Sequence, residues 1–134
     1  MKEFIVKIAT PDGEIFSGEA RSITVKTTEG DVQIMRGHAN LLSPLGTGRA
    51  KLTLPDGTER DASASGGFIL VSDGEAKIVA TTFEFADEID VERAKLARER
   101  AEHAIESAKD DRQIEIAKAK LARAISRINV ATTK

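Results

Sequence analysis

Catalytic chemistry has little to work with in these 134 residues. There is no cysteine, which removes thiol nucleophiles, disulfides and zinc ribbons together and fits a reducing compartment. The two histidines, His38 and His103, lie far apart, and no ligand spacing announces a metal site around either. His38 stands in Gly37-His38-Ala39-Asn40, which reads as a loop. Ser65-Gly66-Gly67-Phe68 lacks the Gly-x-Ser-x-Gly pattern of a nucleophile elbow and reads as a tight bend before a strand. No phosphate-cradling glycine loop with Lys-Ser/Thr and no G-x-G-x-x-G fingerprint is present. An enzyme acting alone is not expected.

What remains is the chemistry of charge. Residues 112–134 carry six bases, Arg112, Lys118, Lys120, Arg123, Arg127 and Lys134, against one acid, Glu115, for a net +5. Residues 86–111 carry nine acids and five bases, net −4. The basic series suits an acidic protein surface or a phosphate. No aromatic residue interleaves it, so stacking on nucleic-acid bases is not supported. Asp90 and Arg93 stand three apart and share a helix face, an ordinary capping and ion-pair spacing worth a few tenths of a kcal/mol.

These residues need elements to position them, and the chain changes alphabet near residue 86. All ten glycines, three prolines and five phenylalanines lie before that point. The following 49 positions hold 11 alanines and 21 charged residues instead. Turn formers punctuate the first part and helix formers fill the second. Strand patterns run over 4–8, 23–27, 32–35, 51–54, 68–71 and 76–80, separated by Pro-Asp-Gly, Glu-Gly-Asp and Ser-Asp-Gly turns. That spacing predicts an antiparallel β-sandwich of nine or ten strands over residues 1–86.

Residues 87–134 predict a two-helix hairpin, making the fold class α+β. The first helix is expected from about Asp87, with Ile89, Leu96, Ala97, Ala101, Ala104, Ile105 and Ala108 on one face. The second is expected from Asp110 or Asp111, where Asp110-x-x-Gln113 has capping-box spacing, with Ile114, Ala117, Leu121, Ala124, Ile125 and Ile128 as its stripe. A short connection makes them antiparallel, and their opposite charges would attract. An alanine face buries little area, so the hairpin should be weakly held, as a moving element must be. A permanently docked helical pair is the alternative.

For the whole chain, 14.4 kDa is one domain or one domain with an appendage. A net charge of −2 gives no reason to expect nucleic acid. No apolar run is long enough to span a membrane, and Met1-Lys2-Glu3-Phe4 does not read as a signal peptide. Membrane association would have to come through a partner.

Two segments carry a family resemblance. Glu29-Gly30-Asp31-Val32-Gln33-Ile34-Met35-Arg36-Gly37-His38-Ala39-Asn40-Leu41-Leu42-Ser43-Pro44-Leu45 resembles the EGE-x-G-I-x-P-G-H-x-P-L-L stretch of the epsilon subunits of bacterial F-type ATP synthases. Ser65-Gly66-Gly67-Phe68 with its apolar run is similar to the next marker, and Ala9-Thr10-Pro11-Asp12-Gly13 and Phe16-Ser17-Gly18 fit too. The order, sandwich then alanine-rich hairpin, is also that of the family. Val32-Gln33 replaces the usual Leu-Gly, Arg36 the first proline and Asn40 the second.

The resemblance implies a non-catalytic rotor subunit of a proton-transporting synthase, peripheral to the cytoplasmic face of the plasma membrane. Its sandwich would grip the gamma subunit and rest on the c-ring, with Asp31 facing the ring loops and His38 near gamma. An extended hairpin would block ATP hydrolysis, with Arg112, Lys118, Lys120, Arg123 and Arg127 meeting the alpha and beta subunits. Ile89-Asp90-Val91-Glu92-Arg93-Ala94 matches the I/L-D-x-x-R-A motif by which some epsilon subunits, notably of bacilli, bind ATP. By that match ATP is a regulatory ligand and no metal is required. Glu84, Ile89, Asp90, Arg93, Ala94, Arg100, Arg123 and Arg127 are its expected site, closing the hairpin. A stand-alone ATP-binding sensor and a basic-helix nucleic-acid binder are the rival readings.

Overall fold

The computed structural model describes residues 2–133; Met1 and Lys134, the latter a member of the basic series, lie outside the described residues. Ten strands come first: β1 Phe4–Thr10, β2 Gly13–Ala20, β3 Ser22–Thr27, β4 Gly30–Met35, β5 Leu41–Pro44, β6 Gly48–Thr53, β7 Glu59–Ser65, β8 Phe68–Ser72, β9 Glu75–Val79 and β10 Thr82–Phe85. They form two five-stranded sheets, ordered β2-β1-β9-β8-β5 and β10-β7-β6-β3-β4. Every pair is antiparallel except β1–β9, which is parallel. A parallel pair needs a long crossover, and the intervening strands supply it.

Period-two alternation sends Val6 and Ile8, Ile23 and Val25, Ile69 and Val71, and Ala76 and Ile78 into the space between the sheets. Each fully buried Val or Ile contributes about 1.5–3 kcal/mol, so this interior holds the sandwich firmly. The Ser65–Phe68 bend is as expected. Gly66 and Gly67 have φ of +73° and +80°, and a Cβ on Gly67 would collide with the Val79 carbonyl.

β7 breaks the alternation. Ala62, Ser63, Ala64 and Ser65 are all buried. Ala62 and Ala64 belong to the sandwich interior, opposite Phe85 and Phe83 of β10. Ser63 faces outward and is covered by a helix. A strand covered on both sides loses its polar half, and small side chains let the helix come close.

A 3-10 turn, Ala86–Glu88, leads into α1, Val91–Ser107, and α2, Asp111–Thr132. The helix expected from Asp87 begins at Val91 instead. Ile89 is extended and buried, which interrupts the turn, and Asp90 becomes the N-cap, accepting from the Arg93 amide at 3.1 Å. Asp87 pairs with Arg60 at 3.6 Å. At α2, Asp110 accepts from the Gln113 amide at 2.8 Å, and Gln113 accepts in return from Lys109, one residue earlier than a capping box requires.

The buried residues of the hairpin are Ala94 and Ala101 of α1 and Ala117, Ala124, Ser126 and Val130 of α2. Ala94 and Ala101, like Ala117 and Ala124, are seven apart, the spacing of a close-packed helix seam. The smallest side chains define it; Ile105, Ile114, Leu121 and Ile128 are half-buried along it as expected, while two larger residues expected there are turned out, Leu96 at 51% exposed and Ile125 at 41%. Ala104 is exposed as well. Among the described residues no ion pair joins the two helices. The pairs Glu92–Lys95, Arg98–Glu102 and His103–Glu106 all lie within α1. The expected attraction between opposite charges is not realised as contact, because alanine fills the facing surfaces.

Candidate functional site

The hairpin is folded down on the sandwich. α1 packs on α2, and α2 lies across β7 and β6. Strand register explains where it sits. Glu84 of β10 stands opposite Ser63 of β7, and Ser63 opposite Arg49 of β6, so the three form one rung across the outer face. Each holds the end of α2. Arg127 donates to both Glu84 carboxylate oxygens, at 2.8 and 3.4 Å. Ser63 and Ser126 share a buried hydroxyl hydrogen bond of 2.8 Å. Arg49 donates through Nη2 to the carbonyls of Asn129 and Thr133, at 3.0 and 2.8 Å, while its Nη1 is anchored on Asp61 at 2.7 Å.

Arg49 therefore satisfies the Thr133 carbonyl and gives the Asn129 carbonyl, which already accepts from the Thr133 amide, a further donor; its positive charge complements the negative end of the helix dipole. All these ties fall between Ser126 and Thr133. Val130 supplies the apolar part, 3% exposed. The seat is narrow, polar and confined to the last two turns of α2.

Among the described residues four hollows adjoin it, and two of them carry the arginines expected at a nucleotide site. The first, about 490 Å³, has three arginines, Arg93, Arg123 and Arg127, and two acids, Asp12 and Glu84, in its wall. The second, about 510 Å³, lies on the hairpin and is lined by Arg100, Lys120, Arg123 and Arg127 with several alanines. Both fall within the volume range of small-molecule sites. Arg123 and Arg127 wall both. Arg93, Arg100 and Arg123 take part in no ion pair among the described residues. Guanidinium groups without carboxylate partners, from both helices, suit a polyphosphate.

The structure thus brings Glu84, Arg93, Arg100, Arg123 and Arg127 to one region. It does not bring Ile89 or Ala94 there as ligands: they are 9% and 0% exposed and pack the start of α1. Asp90 caps α1 and lines neither hollow. One of its oxygens is already taken by the Arg93 amide.

The partner residues separate as well. Asp31 and His38 are exposed but lie at opposite ends of β4, Asp31 in its second position and His38 beyond its last. A strand rises about 3.3 Å per residue, so residues 29–38 present two surfaces and not one. Arg112, Lys118 and Lys120 are exposed on α2, whereas Arg123 and Arg127 are half-buried in the seat and hollows.

One surface was not assigned from the residues. Leu42 pairs with Leu70 and Pro44 with Phe68, which puts these four on the outer face of the other sheet. Leu42 is 67% exposed and Phe68 39%. The signal was the doublet Leu41-Leu42: in a strand one member must face outward. Among the described residues no group of His, Cys, Asp and Glu could hold a metal ion, and no helix is long and apolar enough to cross a membrane.

Comparison with known proteins bears on this arrangement. Residues 3–86 match the family described as ATP synthase, Delta/Epsilon chain, beta-sandwich domain, and residues 87–132 match its long alpha-helix domain. The chain is 40% identical over 129 residues to the ATP synthase epsilon chain of Shouchella clausii, covering 96% of this chain and 95% of that one. It is 41% identical over 128 residues to that of Staphylococcus haemolyticus, covering 95% of each. A chain in a cryo-EM structure of Euglena gracilis mitochondrial ATP synthase superposes with a TM-score of 0.83 at 24% identity, covering 98% of this chain and 82% of that one. At that identity the likeness concerns the fold.

Proposed function

This chain belongs to the ATP synthase delta/epsilon chain family, and on that premise we propose that it is a non-catalytic central-stalk subunit whose hairpin is a nucleotide-controlled brake on ATP hydrolysis. The sandwich is the fixed part. Its exposed apolar strip, Leu42, Pro44, Leu70 and Phe68, offers the gamma subunit a surface of the kind that interfaces bury. His38 lies just before β5 and would join that contact, while Asp31, at the other end of β4, would face the c-ring loops. The membrane is then reached only through the complex.

The hairpin is the moving part. Released from its seat, α2 would carry Arg112, Lys118 and Lys120, with Arg123 and Arg127 freed, to acidic surfaces of the alpha and beta subunits. ATP would oppose release. Arg93 and Arg100 of α1 and Arg123 of α2 would hold its phosphates, and Glu84 would accept from its base or sugar. Asp90 would act from the helix cap through its second oxygen. A ligand bridging both helices at 100 times its Kd would favour the closed hairpin by about 2.7 kcal/mol.

One observation carries this reading. Arg127 pairs with Glu84 in the seat and also walls both hollows, so whatever binds in the hollows acts on the hairpin's hold. The test is ATP hydrolysis by the assembled complex, with the whole chain and with residues 88–134 removed. Removal should raise hydrolysis, and an unchanged rate would contradict the brake. Co-purification with gamma tests membership independently, since a stand-alone sensor would not bind it.

A further inference from the structure

The hollow of about 510 Å³ on the hairpin holds one cation that the nucleotide motif does not account for. Ala97, Arg100, Ala101 and Ala104 line it from α1, and Lys120, Arg123, Ala124 and Arg127 from α2. Each set follows the same spacing, i, i+3, i+4 and i+7, so each occupies one helix face. The two faces meet where α1 packs on α2, with Ala101 and Ala124 buried. The register of both helices therefore carries the four cations to one space between them. Alanine supplies the rest of the wall, and no carboxylate lines it.

Lys120 stands outside the motif Ile89–Ala94 and outside the residues expected to hold a phosphate. Like Arg100 and Arg123, it takes part in no ion pair among the described residues. Arg127 is paired, but with Glu84, which does not line this hollow. Like charges around one space repel, and a bound polyanion relieves them. An ammonium group is a compact point charge with three donors and no acceptor, which complements planar guanidinium forks along a row of phosphates. Lys118 is the contrast. It is also exposed on α2, but residues two apart do not share a helix face, and it does not line the hollow. We propose that Lys120 is a phosphate-binding residue, which with Arg100 and Arg123 and beside Arg127 holds the triphosphate of a nucleotide between α1 and α2. The proposal rests on the reading of the hairpin as nucleotide-controlled and adds a ligand from α2 to it.

The test is calorimetry of the full chain with ATP and, separately, with inorganic tripolyphosphate. Both are expected to bind the unaltered chain. Lys120→Gln should weaken each about fivefold, the loss of one partly screened charge-assisted contact, with unchanged circular dichroism. Lys118→Gln changes the net charge equally from outside the hollow and should alter either affinity less than about twofold. Unchanged affinities in Lys120→Gln would overturn the proposal and leave ATP binding in place. An equal loss in Lys118→Gln would also overturn it, reducing the effect of Lys120 to net charge. A loss for ATP alone would overturn the phosphate assignment. Tripolyphosphate binding that depends on Lys120, with no binding of ATP, would uphold the phosphate site and contradict the nucleotide reading. Failure of both ligands to bind the unaltered chain would overturn both.

Discussion

Ser63 and Ser126 tie the hairpin to the sandwich through a single buried contact. Their hydroxyls are buried and satisfy each other. Ser126→Ala strands Ser63, and an unsatisfied buried hydroxyl costs about 1–3 kcal/mol. Ser63→Ala/Ser126→Ala strands nothing and should recover most of that loss, as read by amide exchange in α2. The Glu84–Arg127 pair is worth less in isolation, about 1 kcal/mol or below, since both side chains are roughly a third exposed. On the proposed reading its weight lies in ligand binding. Arg93→Ala and Arg123→Ala should each weaken ATP binding about tenfold by calorimetry, the loss of one charge-assisted hydrogen bond. Asp90→Ala should weaken it less, because Asp90 lines neither hollow. Asp56 offers a test in the sandwich alone. The Thr58 amide donates to its carboxylate at 2.9 Å and holds its pKa below the usual 3.8. A depressed folded pKa stabilises above the unfolded value and is lost as pH falls through the folded one. Asp56→Asn should therefore destabilise at neutral pH, with the difference vanishing below the folded pKa, as followed by denaturant midpoints.

Among the elements, the end of α2 bears the consequence of Arg49. Arg49→Gln removes the charge that faces the helix C-terminus and most of its carbonyl partners. The last turns of α2 should then exchange amide protons about tenfold faster while β6 and β7 stay protected. Asp90→Ala should cost α1 about 1 kcal/mol through its cap. The helices were legible because Asp110 and Gln113 mark a start and alanine-rich, charged sequence has no other stable use. Their buried face was legible in large part: Ala101, Ala117 and Ala124 are buried and Ile105, Ile114, Leu121 and Ile128 half-buried, as the stripes predict. Periodicity counted Leu96 and Ile125 as apolar, but the seam takes the smallest residues, not the most hydrophobic. Six strands were visible as apolar alternation. β2, β5, β7 and β10 were not located. β2 is largely exposed, and β5 and β10 have four residues each. β7, Glu-Arg-Asp-Ala-Ser-Ala-Ser, has no β-branched residue because a helix covers the side that would normally meet water. The site was half legible. Motif and position name the arginines and Glu84, which the structure groups beside the seat, whereas Arg49 and Ser63 are invisible until register puts them on one rung with Glu84.

At the scale of the molecule, two parts of unequal stability are joined at one narrow seat. The sandwich interior is built from fully buried Ile, Leu and Val, and the hairpin from alanine and a few polar ties. Removing residues 88–134 should leave the sandwich folded, with a melting transition close to that of the whole chain, since the uncovered Ser63 and Ser65 are polar. On the proposed reading the hairpin opens without unfolding the sandwich. Hydrogen exchange of the full chain, resolved by residue, addresses it most directly. Amides of α1 and α2 are expected to exchange through an opening well below the global free energy, amides of β1, β8 and β9 only with global unfolding, and ATP to slow the first group alone. Helical amides as protected as those strands, with or without ATP, would contradict it.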